Sequence, residues 1–154
     1  VEQSGRKWVK LVFIGEHQHT IDTKGRVVVP AQFRDELGEK MIVTRWLDGC
    51  LAIYTLDQWQ KVYENLKKLP STKREARMYT HMIMSKAAEC ETDAQGRIRI
   101  PQHLTKAAKL EKHCVLVGVS DHVEIWDRDR WEEYYALASE NFEEIAETLT
   151  EFFE

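Results

Sequence analysis

Cysteine is scarce in this chain: Cys50, Cys90 and Cys114 are the only three in 154 residues, and no two stand as C-x-x-C. An odd, scattered set excludes a disulfide framework and fits buried thiols in a reducing compartment. Long apolar runs are lacking as well. The longest, residues 11–14 and 115–119, fall far short of the ~20 apolar residues that cross a bilayer. No basic-then-apolar leader with a small-residue cleavage site opens the sequence, so a cytoplasmic setting is expected. Positive charge is not in excess either. Lysine and arginine number 22 against 26 acids, a net charge of −4 that taken alone argues against a polyanionic partner.

The acidity is nevertheless local. Residues 129–154 hold nine acids against one base, Arg130, which leaves residues 1–128 at +4. A mildly basic body with an acidic tail permits DNA binding without requiring it. With 43% hydrophobic and 31% charged residues, the composition is that of an ordinary globular domain.

What the sequence does have is one phrase written twice. Ile21-Asp22-Thr23-Lys24-Gly25-Arg26-Val27-Val28-Val29-Pro30 returns as Thr92-Asp93-Ala94-Gln95-Gly96-Arg97-Ile98-Arg99-Ile100-Pro101. Each copy reads acid, two variable residues, glycine, arginine, a β-rich run and proline, and Asp93 stands 71 positions after Asp22. The likeness continues to Trp59 in the first copy and Trp131 in the second. A unit of about 40 residues seldom buries enough apolar surface to fold alone. The copies, taken as residues 13–84 and 85–154, are therefore expected to share one core, with residues 1–12 an extension or leader.

Alternation and turn residues set the expected elements. Strands are expected over 9–14, 17–21 and 26–29, with Gly25 supplying the positive φ of a tight turn before the last. Pro30 suits the first turn of a short helix reaching Leu37. Residues 40–45 and 51–54 should pair as a hairpin about Asp48-Gly49. The second copy repeats this with a turn at 93–96, strands near 97–100, 114–119 and 123–126, and a helix from Pro101. Thr55 and Gln58 make a capping-box pattern for a helix to Lys68, with Leu56, Trp59, Val62, Tyr63 and Leu66 on its apolar side. Ser71 is expected to cap a helix over 72–84. A final helix should carry Trp131, Tyr134, Tyr135, Ala138, Phe142, Ile145, Leu149 and Phe152 on one stripe, roughly six turns of ~3.6 residues. So long a stripe should pack on its own repeat or dock on a neighbouring subunit.

Acid, glycine and arginine in one turn have a joint physical use. Asp22 and Asp93 can accept backbone N–H groups two residues on, and Gly25 and Gly96 tighten the turn. Arg26 and Arg97 then emerge at the start of a stiff strand. A carboxylate four residues back can hold the guanidinium in one orientation, and the planar fork suits a phosphate or the O6/N7 edge of guanine. Lys24 at the first turn tip, and Arg99 on the same strand face as Arg97, would extend the basic surface. The plainer alternative is a pair of turn salt bridges that recur because the fold recurs. Residues alone leave both open.

Together, Phe13-Ile14-Gly15-Glu16-His17-Gln18-His19-Thr20-Ile21-Asp22, the paired D-x-x-x-R motifs, Asp48-Gly49-Cys50-Leu51 and Val123-Glu124-Ile125-Trp126 resemble the MraZ family. Its members are bacterial transcriptional regulators of the division and cell-wall gene cluster. The resemblance covers Phe13 to Tyr135. It implies an α+β fold: a pseudo-two-fold double AbrB-like swapped-hairpin β-barrel with flanking helices and a long C-terminal helix. It also implies nucleoid-associated, ring-shaped homo-oligomers that bind direct repeats of double-stranded DNA in their own operon's promoter, usually as repressors. The family's motifs fall on Asp22/Arg26 and Asp93/Arg97 and its basic turn residue on Lys24. Gln95 at the second tip is uncharged, and His17 stands where tyrosine is common. On this basis Arg26 and Arg97 would contact DNA and Lys24 and Arg99 its phosphates, supported by Asp22, Gly25, Asp93 and Gly96.

Other function classes are weaker. Paired Asp residues in duplicated contexts suggest an aspartic protease, but such sites place glycine where Lys24 and Gln95 stand here. No catalytic site is expected. His17-x-His19, His113-Cys114 and Cys90 offer donors without a second pair at ligand spacing, so no metal or other cofactor is expected. No small-molecule effector pocket is legible. A protein-binding ring scaffold in cell division, with incidental DNA contact, is the alternative that the acidic C-terminal segment keeps open.

Overall fold

The computed structural model describes residues 12–153. In chain order it runs β1 (Glu16–Thr20), β2 (Arg26–Val28), α1 (Ala31–Leu37), β3 (Lys40–Arg45), β4 (Leu51–Thr55), α2 (Leu56–Lys67) and α3 (Arg74–Met84). There follow β5 (Ala88–Glu91), β6 (Arg97–Arg99), α4 (Gln102–Ala107), β7 (His113–Val119), β8 (His122–Asp127), α5 (Arg128–Glu140) and α6 (Phe142–Thr148). Six strands make an antiparallel sheet in the order β1-β7-β8-β4-β3-β5, and β2 with β6 forms a separate ribbon. The architecture is α+β. Among the described residues no strand pairing closes the sheet into a barrel.

Strands are exchanged between the copies. β1 of the first copy pairs with β7 of the second, and β5 of the second pairs with β3 of the first. Two pairings set one position opposite its own repeat: Val27 faces Ile98 in the ribbon, and Ala52 faces Glu124 where β4 meets β8. A local two-fold axis therefore passes through both pairs. The core drawn around it takes Val29, Phe33, Met41 and Ile53 from one copy and Ile100, Leu104, Leu116 and Ile125 from the other, all sealed from solvent. Neither copy could bury these faces alone, which is why the repeats interlock.

Local chemistry fixes the helices on this frame. Thr55 caps α2 by accepting from Gln58 N at 3.0 Å, and Asp127, its counterpart, caps α5 by accepting from Arg130 N at 3.3 Å. Buried Thr44 donates to the Ile83 carbonyl at 2.6 Å and so ties α3 to β3. The three cysteines are buried and unpaired. Burial pushes the Cys90 thiol up to about 11, with Glu89 adding, and the Cys114 thiol up to about 12, with Asp127 adding. No described helix is long and apolar enough to cross a membrane.

Several expectations are corrected. The segment after Gly25 does not return onto β1, which it meets only at the Ile21–Val27 bridge. It pairs with its twin β6 instead, because the axis brings the two free edges together. α3 begins at Arg74 behind Lys73, and Ser71 does not cap it; the Ser71 carbonyl accepts from Arg77 at 2.9 Å. The C-terminal helix is not continuous. Asn141, at φ −108° and ψ 17°, ends α5 and donates its side chain to the Leu137 carbonyl before α6 starts. The expected strand over 9–14 and the extension over 1–12 lie mostly outside the described residues, within which Phe13 bridges Ser120.

Candidate nucleic-acid interface

The ribbon carries both arginine turns. Gly25 and Gly96 sit at φ 83° and 76°, a left-handed conformation that costs other residues about 1–2 kcal/mol. In the first turn Gly25 N donates to the Asp22 carbonyl at 3.0 Å, and Asp22 Oδ1 accepts from Lys24 N at 3.0 Å and Arg26 N at 2.9 Å. Asp22 Oδ2 accepts from Arg26 Nε at 2.7 Å. The second turn repeats the pattern: Asp93 Oδ1 accepts from Gln95 N and Arg97 N at 2.9 Å, and Oδ2 from Arg97 Nε at 3.0 Å. Backbone donation from Arg26 or Arg97, then the guanidinium itself, outweighs partial desolvation and holds each carboxyl below its ordinary range. Each aspartate uses Nε. Among the described residues only Nε of each guanidinium is bonded to a carboxylate.

Strand register then gathers basic residues across the copies. Arg26 faces Arg99 and Arg97 faces Val28. Arg99 Nε donates to the Lys24 carbonyl at 3.1 Å, so the second copy lends an arginine to the first copy's turn. Lys24, Arg26 and Arg99 thus stand together, while Arg97 keeps company with Gln95 and Val28. The turns are stiffened from behind by Ile100 N donating to the Gly25 carbonyl at 2.8 Å and Val29 N to the Gly96 carbonyl at 2.9 Å.

Two groups escaped the sequence reasoning. Arg34 on α1 donates Nη2 to the Val29 carbonyl at 2.9 Å and lays its guanidinium over Gly96. No motif marks it. His122, 7% exposed, lies between Asp121 Oδ1 and Glu124 Oε2 at 2.8 Å each, with the Tyr54 ring stacked on it. Burial opposes its charged form, but the bonds to Glu124 and Asp121 prevail and raise its pKa. Burial likewise works against the Glu124 carboxylate, and His122 with Trp126 Nε1 lowers it regardless. The alternation of His122 and Glu124 on one strand face was the available signal.

The rejected chemistries find other employment for their residues. Each aspartate is engaged by its own arginine, an arrangement that offers no shared proton. His17 Nε2 lies 3.2 Å from Gln32 Oε1, and Cys114 Sγ donates to the His19 carbonyl at 3.5 Å. No group of three or more His, Cys, Asp or Glu among the described residues is placed to hold a metal.

The model of the MraZ protein family matches the chain twice, over residues 12–82 and 83–153. A curated relative, Transcriptional regulator MraZ of Caldanaerobacter subterraneus subsp. tengcongensis, is 52% identical over 141 residues, 92% of this chain and 99% of that one. With a tandem match and a likeness running almost end to end, the chain belongs to the MraZ family.

Proposed function

We propose that this chain is a DNA-binding transcriptional regulator, a repressor of the division and cell-wall operon that holds its own gene. The Caldanaerobacter relative bears the name of a transcriptional regulator. One observation carries the reading: two aspartate-held arginines stand on a single stiff ribbon, 2.7 Å and 3.0 Å from their carboxylates. A guanidinium already oriented loses little freedom on binding, and its fork matches a phosphate or a guanine edge. Arg26 and Arg97 contact DNA, Lys24 and Arg99 take phosphates, and Asp22 and Asp93 orient without touching the duplex. The exchanged strands support a double AbrB-like domain with repeats at 13–84 and 85–154.

The regulator acts as a ring. On α5 and α6, Leu137, Phe142 and Ile145 are exposed amid Glu140, Glu143, Glu144 and Glu147. On α2 and α3, Leu56, Met78 and Met82 are exposed amid both signs of charge, Lys61, Lys67, Arg74 and Arg77 with Asp57, Glu64 and Glu75. Two exposed apolar faces on one chain, one acidic and one of mixed charge, suit head-to-tail contact, which closes when the rotation allows. Linked turns engaging spaced DNA repeats together gain ~10²–10⁴ in avidity. The same faces support the alternative of a protein-binding scaffold. Binding of the assembled protein to its own upstream DNA, against a shuffled fragment of equal length, decides between them: equal affinity for both favours the scaffold.

A further inference from the structure

Beyond the shared motif the two turns differ, and the difference points to a ligand. Backbone bonds fix which residues correspond. Arg34 N donates to the Pro30 carbonyl as Thr105 N does to that of Pro101. Ile21 N donates to the Lys112 carbonyl as Thr92 N does to that of Glu39. Arg34 therefore answers to Thr105, and Glu39 to Lys112.

Beside the second turn, Arg34 fills the space between the ribbon and α1. Beside the first, Thr105 is too short to do so, and a groove of about 780 Å³ opens, lined by Lys24, Arg99, Gln102, Thr105 and Lys112. Three exchanges favour the first turn, with Lys24 for Gln95, Arg99 for Val28 and Lys112 for Glu39, and two run the other way, with Thr105 for Arg34 and Glu111 for Gly38. The open groove thus holds three cations where its twin holds one, Arg34, beside an amide, a valine and a carboxylate. Two acids also line it, Asp22 and Glu111, but the Asp22 carboxylate is bound by Arg26. A concave wall with surplus positive charge concentrates anions.

We propose that this groove docks a backbone phosphate of the duplex, which makes the first turn the stronger of the two DNA grips. The inference rests on the DNA-binding reading and adds Lys112 as a contact, with the Gln102 amide as a neutral donor beside it. Arg34 closes the twin groove with a side chain of the protein's own, so the second turn works through Arg97 alone.

The test is the salt dependence of promoter-fragment binding by the assembled protein, for wild type, Lys112→Gln, Glu39→Gln and Arg26→Ala. Melting and light scattering serve as controls for folding and assembly. Removing one cation from a phosphate lowers the slope of log K against log salt by about 0.9, so Lys112→Gln should lower it by at least that much. Glu39→Gln should leave the slope as it was. Thr105→Met, which fills the groove without changing charge, should weaken binding and guards against a misfolded lysine variant. An unaltered slope in Lys112→Gln, with Arg26→Ala impaired, overturns the groove and spares the DNA-binding reading. If Arg26→Ala is unimpaired as well, both fall. Should inorganic phosphate shift the Gln102 amide signal while the Lys112→Gln slope stays at the wild-type value, the ligand is a free anion and the duplex assignment is overturned.

Discussion

Val27 and Ile98 hold the same place in the two copies and face each other across the β2–β6 ribbon, each 1% exposed. Arg26 and Arg97 are their immediate neighbours, so both turns hang on one buried seam. Ile98→Ala removes apolar contact from that seam and should cost about 2–5 kcal/mol in urea denaturation. Amide exchange should then quicken at Gly25 as well as Gly96. A change confined to the second copy would show that the turns are independently supported.

Gly25 and Gly38 separate two kinds of strain. Both have φ near +80°, at 83° and 80°, but a Cβ on Gly38 meets nothing within 4 Å while one on Gly25 strikes the Ile100 carbonyl. Gly38→Ala should cost about 1–3 kcal/mol for the backbone alone, since φ 80° with ψ −173° is a region all but reserved to glycine. Gly25→Ala should lower the melting temperature clearly further, because the ribbon must also shift. Equal effects would mean the ribbon yields without cost.

His122 gives stability a defined pH dependence. Its pKa is raised above the ordinary 6.5, because the bonds to Glu124 and Asp121 prevail over burial. Its contribution is complete below the unfolded value and is lost as pH climbs through the folded one. Urea denaturation across that range should show the loss in wild type and not in His122→Gln. Glu124→Gln removes the larger support and should move the loss to lower pH. The same alkaline fall in His122→Gln would assign it to another group.

The seam proposed for ring assembly is testable by truncation. Tyr134 packs on Trp126 with ring centres 4.7 Å apart, whereas Phe142 is 70% exposed. Removing residues after Glu140 should therefore lower the light-scattering mass while leaving near-ultraviolet circular dichroism from Trp126 intact. An unchanged mass would place the seam elsewhere.

The duplicated turns were legible because their chemistry is local: Asp22 to Arg26 lies within one turn, and its hydrogen bonds follow from residue type. The cap at Thr55 and the helices behind Pro30 and Pro101 were legible for the same reason. Strand partners were not. Alternation says which face of β2 is buried but not that its neighbour is β6, 71 residues on, and not β1. The break at Asn141 interrupts an apolar stripe whose spacing continues across it, so periodicity passed over it. Arg34 acts on Gly96, a partner distant in sequence that no residue pattern displays, whereas His122 and Glu124 alternate on one strand face and only their burial was hidden.

Affinity for the upstream region of its own gene, measured at low ionic strength on Arg26→Ala, Arg97→Ala and the double variant at unchanged light-scattering mass, is the most direct test. Each single change should weaken binding, Arg26→Ala more than Arg97→Ala, and the double variant should retain only sequence-independent attraction. A double variant that binds as tightly as wild type would contradict DNA recognition by the paired turns.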